Sequence, residues 1–163
     1  MRTVTSAADG LADLERYIQV LQEWADEDLE GEMKQAIYAG AEVMTDTIRG
    51  EIQSHPTHAS PVNGMTAQEK KALLSGLGIS PFGKKDGDYD VKTGFDGYDT
   101  SHKTKKYPKG VPIPLTARSL RRGTSWRAKD DFISRAVSKG KKKTVEAMEK
   151  KFDEKIKKRF EKI

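Results

Sequence analysis

Cysteine is missing from this chain of 163 residues. Disulfides and thiolate metal centres are therefore excluded. Histidine is scarce: His55, His58 and His102 are the only three. His55 and His58 share one proline-bearing loop from which they could reach a common ion, but with no cysteine and one distant histidine the set is thin, and no metal site is assigned. Apolar runs are short, and none approaches the roughly 20 residues of a membrane-spanning helix. The first residues lack the basic-then-apolar layout of a secretory leader. The expectation is a soluble protein made in the cytoplasm. Aromatic residues make up 7% and hydrophobic residues 35%, about the same as the 34% that are charged. That is a lean supply for a core, so a small core with solvated or partner-covered extensions is expected in a single domain spanning 1–163.

Charge is abundant, and it is unevenly placed. Residues 1–55 hold 4 Lys/Arg against 12 Asp/Glu, residues 56–138 hold 15 against 8, and residues 139–163 hold 11 against 5. The overall net of +5 hides this polarity. An acidic head and a basic tail suit contacts between copies in which unlike faces meet. Solvated helix faces are the plainer alternative.

Leu11, Leu14, Ile18, Leu21 and Ala25 recur at helical spacing in an acidic N-terminal segment, residues 1–29. A longer stripe, Leu29, Met33, Ile37, Ala41, Met44, Ile48 and Ile52, predicts a helix over 30–54 that ends where His55 meets Pro56. Thr66 with Glu69 makes a capping box, so a short helix is expected from about 67 to 75. Tyr89 to Phe95 alternates as a half-buried strand does, and Asp96-Gly97 reads as a hairpin turn. Residues 98–112, with Lys103, Lys105, Lys106 and Lys109, form a basic loop expected to be mobile in a free subunit. A last stripe through Val145, Met148, Phe152, Ile156, Phe160 and Ile163 predicts a long helix over 131–160, whose basic end covers 145–163. The fold class that follows is α+β: two long helices on a small, mostly antiparallel sheet, with Phe132 and Ile37 in the core.

The most informative stretch runs from Pro114 to Ala136. Pro114 can open a helix, Gly123 can close it, and Asp130 or Asp131 can start the next. Trp126 and Phe132 read as two large anchors of this corner. Gly123-Thr124-Ser125, followed by Phe132-Ile133-Ser134-Arg135-Ala136-Val137, resembles the glycine-threonine-serine and proline-phenylalanine-leucine/isoleucine-arginine-proline-alanine signature of the tail-completion proteins of long-tailed bacteriophages. More loosely, the resemblance takes in the helix at 32–54 and Val91 to Phe95. Asp131 stands where that family usually has proline, and either residue can begin a helix. The resemblance implies a structural virion protein without enzyme activity, which closes or joins the head-proximal end of a tail as a ring, six copies being expected from the symmetry of such tails. It implies tail tube or tail terminator proteins and head-closure or connector proteins as neighbours, and genome DNA passing through the lumen without specific binding. The virion neck would be its location.

Other chemistry is weak in this sequence. Gly78 to Gly83-Lys84 approaches a phosphate-binding loop, but Lys85 replaces the magnesium-holding Ser or Thr and a helix, not a strand, is expected before it. Asp86, Asp88 and Asp90 begin like a calcium loop, yet Val91 and Gly97 occupy the positions of its glycine and its bidentate glutamate. Asp88, Asp90 and Lys92 also suggest a nuclease pattern without a second acidic partner. No residue is assigned a catalytic, cofactor-binding or metal role. The alternative function is nucleic-acid binding by the basic loop and the C-terminal helix.

Overall fold

The computed structural model describes residues 15, 16, 18, 19, 21, 22 and 29–161. The stripe from Leu29 to Ile52 folds as helix α1, Leu29–Ser54, with Glu30 and Glu32 in the first turn, where the helix dipole favours them. Its last turn contains no basic residue of its own. Lys70 supplies one from elsewhere, its Nζ donating to the carbonyls of Gln53 and His55 at 2.6 and 2.8 Å.

Helix α2, Ala67–Gly76, starts on the capping box read in the sequence: the Glu69 amide donates to Thr66 Oγ1 at 3.2 Å, and the Thr66 amide donates to Glu69 Oε2 at 3.0 Å. It stops at Gly76 because the chain passes close there. A Cβ at Gly76 would lie 2.5 Å from the Asp96 carbonyl oxygen, whose own amide donates to the Gly76 carbonyl at 2.9 Å.

Six short strands follow, paired antiparallel in three two-stranded ladders. Strand β1 (Leu77–Ile79) pairs with β4 (Thr93–Phe95), β2 (Gly83–Lys85) with β3 (Asp88–Asp90), and β5 (Tyr98–Asp99) with β6 (Val111–Pro112). The run expected as one strand over Tyr89–Phe95 is thus two, and its halves join different ladders. The break falls at Val91-Lys92, where the backbone turns to Ser80: Ser80 N donates to the Lys92 carbonyl, and Lys92 N to Ser80 Oγ, each at 2.8 Å. The hairpin also sits elsewhere than expected. Asp86 and Gly87, with φ of 53° and 87°, form the two-residue turn between β2 and β3. Asp96-Gly97 instead carries the chain from one ladder to the next.

Helix α3, Ile113–Arg122, has proline in its first turn and ends at Gly123, whose φ of 72° and amide bond to the Ser119 carbonyl form the cap. Helix α4, Phe132–Phe160, starts at Asp131, whose carboxylate accepts from the Ser134 amide at 3.1 Å. Antiparallel to α1, it lies so close that a Cβ on Gly40 would meet Met148 Cγ at 2.4 Å, and one on Gly140 would meet Thr47 at 3.1 Å. The core fills the end of this helix pair where α2, α3 and the β1–β4 ladder converge. Ile52, Met65, Leu73, Leu120 and Phe132 are fully buried, and the rings of Phe95 and Phe132 meet edge to face at 6.3 Å. The α+β class stands.

Ile37 departs from expectation. It is only half-buried, as are Leu29, Met33, Ala41 and Met44, whereas Ile48 and Ile52 further along the same stripe are buried. The α2, α3 and β1–β4 elements cover the C-terminal half of α1, whereas its N-terminal half meets α4 and the β2–β3 hairpin, with Phe82 beside Tyr38 and Lys84 paired with Glu30 at 2.8 Å. The basic loop is exposed from Thr100 to Lys106, yet it has a hydrogen-bonded frame that its composition does not advertise. Thr104 and Tyr107 exchange backbone bonds at 3.2 and 3.0 Å, Val111 N donates to the His102 carbonyl at 2.9 Å, and Gln68 Nε2 donates to Ser101 Oγ at 2.8 Å. Most of the acidic segment 1–29 lies outside the described residues. Its described members before Leu29 are helical, with Ile18 exposed.

Candidate functional site

The corner between α3 and α4, where the family-like residues lie, is organised around a buried guanidinium. Arg127 is 4% exposed. Its Nε donates to the Pro61 carbonyl at 2.9 Å, one terminal nitrogen reaches Ser119 Oγ at 3.4 Å, and the other bonds Glu69 Oε1. One residue therefore ties together the 56–65 loop, α2, α3 and the start of α4. Glu69 serves twice, since its second oxygen holds the α2 cap. Trp126, expected as an anchor, is not one. It is 54% exposed, with its ring against the Arg127 guanidinium at 5.1 Å. Arg127 has five directed donors and uses them on three elements, while the large buried ring of this corner is Phe132.

Beside this corner a line of charges joins α1 to α4. Arg135 bridges Glu51 at 2.9 Å and Asp130 at 2.8 Å, Lys139 also binds Glu51, and Asp130 faces His55 Nε2. Hydrogen bonds from Lys139 and then Arg135 hold the Glu51 carboxyl below its ordinary range against the opposing effect of burial. Glu51 and then Asp130 push Arg135 up. Asp131 is also held low, first by the Ser134 amide. At the other end of the helix pair, Glu32 faces Lys155 at 3.6 Å and Arg159 at 4.0 Å. Part of the polarity between acidic first third and basic tail is therefore satisfied within one chain. Lys143, Lys150, Lys157 and Lys158 remain exposed on the outer side of α4.

A groove of about 540 Å³ opens where α1, α4 and the β3–β4 link meet. Its walls include Ile37, Ala41 and Met44 of α1, Val91 of the link, and Val137 and Met148 of α4. A smaller notch lies by Asp99. Burial opposes the charge on Asp99, but bonds from Ser101 and Gln68 outweigh it and hold that carboxyl low.

The residues weighed for other chemistry are not brought together. Gly78 and Gly83 lie in strands β1 and β2, so the phosphate-loop lookalike has no helix after it. Asp86 is a turn residue and Asp90 pairs with Lys92 at 3.4 Å. His55 turns to Asp130, while the His58 ring lies against Gly64. Among the described residues no three His, Asp or Glu side chains are grouped to hold a metal ion, and no helix is long and apolar enough to cross a membrane. Sequence reasoning missed Arg127, Glu69 as its partner, and Glu51. The signal for Glu51 was a carboxylate beside Ile52 on an apolar stripe; for Arg127 there was none beyond its place in a polar corner. Compared with protein-family models, curated proteins and solved structures, the chain gives no match.

Proposed function

We propose that this chain is a structural virion subunit, a tail-completion or head–tail joining protein that forms a ring at the head-proximal end of a phage tail or tail-like particle. The observation that carries the reading is the corner from Gly123 to Ala136. Three of its family-like residues, and the Asp131 that stands in for the family's proline, have roles specific to their positions. Gly123 closes α3 with a positive φ, Asp131 caps α4, and Phe132 and Ala136 are both fully buried in the core. A motif whose residues are used in this way carries more weight than a chance match of letters. A ring also requires two unlike surfaces on each copy, and the chain has an acidic N-terminal segment and a basic outer face on α4. Six copies, tail tube or terminator proteins on one side and head-closure or connector proteins on the other complete the proposal.

Deleting the gene tests it. Electron microscopy of the lysate is expected to show filled heads and separate tails, or tails with defective ends, while DNA replication and packaging proceed. Blocked replication or packaging with normal, joined tails would remove the joining role.

The second reading, nucleic-acid binding, draws on the exposed lysines of α4 and of the loop at Lys103, Lys105, Lys106 and Lys109. It requires tight DNA binding near physiological salt, falling steeply as salt rises.

A further inference from the structure

The groove between α1 and α4 is lined by residues that a helix stripe of this length should have covered. Ile37, Ala41 and Met44 are half-buried, and Val137 on the opposite wall is 42% exposed. A second exposed apolar side chain lies in the N-terminal segment. Ile18, in the middle of the stripe Leu11, Leu14, Ile18 and Leu21, is 45% exposed, and the described residues around it are helical.

We infer that the groove of one copy receives the N-terminal amphipathic segment of a second copy, residues 9–28, so that copies join head to tail. Dimensions agree. Continued as a helix, the stripe from Leu11 to Leu21 measures about 15 Å, and the α1 wall from Ile37 to Ile48 about 16 Å, at about 1.5 Å per residue. Charge agrees as well. From residue 9 to residue 28 the single cation is Arg16, set among Asp9, Asp13, Glu15, Glu23 and the run Asp26-Glu27-Asp28. The groove's surroundings carry the opposite sign. Lys141 lies one turn from both Val137 and Thr144. Lys34 is one turn before Ile37. The one acidic residue of the lining, Asp90, is already paired with Lys92.

An acidic amphipathic helix in an apolar groove with a basic border is a familiar binding mode, in which the stripe supplies affinity and the charges set direction. Because stripe and groove are different surfaces, the contact is heterologous and repeats from copy to copy. The inference deepens the ring reading and rests on it only for closure of the series; the contact itself can be tested without any phage.

The absence of cysteine makes the test direct. In the full chain carrying both Ile18→Cys and Val137→Cys, mild oxidation is expected to give a ladder of covalent dimers and larger species that collapses on reduction. A monomer with an internal disulfide would overturn the inference by showing that the segment fills its own groove. Two thiols that stay free would overturn it outright. A second pair of variants guards against an artefact of the cysteines. Ile18→Glu and Val137→Glu, both at exposed positions, should each sediment as monomers, and their equimolar mixture should form a dimer and stop there, since only one intact stripe can meet one intact groove. Variants that keep the mass of the parent assembly would overturn the contact and leave the ring reading in place. Cross-linked copies from a gene whose deletion leaves heads joined to tails would do the reverse.

Discussion

Gly40 of α1 and Met148 of α4 touch so closely that a methyl group on Gly40 would stand 2.4 Å from Met148 Cγ. The two long helices are held together at this point by a missing side chain. Gly40→Ala gains about 1 kcal/mol in helix propensity but forces Met148 out of place, and overpacking of this kind costs about 1–3 kcal/mol. The single substitution is expected to destabilise. In a Met148→Ala background the same change should stabilise, because the propensity gain is no longer opposed. Urea denaturation of the four proteins closes the cycle, and additive effects would show that the contact carries no strain.

Arg127 is the residue whose loss should be felt most widely. Arg127→Met keeps the bulk of the side chain but leaves Glu69 and the Pro61 carbonyl without their partner. Breaking a buried charged pair from one side costs about 3–5 kcal/mol. Arg127→Lys should recover little, since one ammonium cannot reach three separated acceptors along a planar fork. Trp126→Ala, by contrast, should change stability by less than about 1 kcal/mol, as expected of a mostly exposed ring. A large loss at Trp126 with a small one at Arg127 would invert the roles of the two residues in the corner.

Stability should depend on acidity through Glu51. Its folded pKa is depressed, chiefly by Lys139 and then by Arg135, from an ordinary value of 4.5. Above that value the carboxyl is ionised in both folded and unfolded chains, and the ion pairs contribute in full. As pH falls below it, the unfolded chain takes up the proton first and the advantage is lost by the time the folded carboxyl titrates. Glu51→Gln is therefore expected to lower the melting temperature at neutral pH and to have a smaller effect in acid below the ordinary 4.5. A deficit that is the same at both pH values would show that the carboxylate charge is not what matters.

The basic loop should show two classes of amide. Val111, bonded to the His102 carbonyl, and Tyr107, bonded to Thr104, are expected to exchange slowly relative to Lys103, Lys105 and Lys106. If the proposed ring forms, the lysine amides should slow as well on assembly. Hydrogen exchange that is equally slow across residues 100–110 in the free chain would mean that the loop is already fully ordered.

What could be read from the residues alone were the features set by neighbours in sequence. The capping box of Thr66 and Glu69, the glycine stop at Gly123, the start of α4 at Asp131 and the stripe of α1 depend on spacings of three and four residues, so local chemistry decides them. Phe132 also belongs here, since a large apolar residue at the start of an amphipathic helix has one inward face to occupy. Two Asp-Gly pairs lie between Pro81 and Tyr98, but which one makes a hairpin depends on whether the flanking strands find each other, and only Asp86-Gly87 has such flanks. The split of Tyr89–Phe95 has the same origin: alternation reports which side chains share a face, not which strand lies alongside. Tertiary structure alone decided that Arg127 rather than Trp126 fills the corner, because its partners come from residues 61, 69 and 119. It also decided that Ile37 stays half open while Ile52 is buried, since burial depends on which elements converge on each turn of α1, and no periodicity within a helix encodes where its neighbours converge.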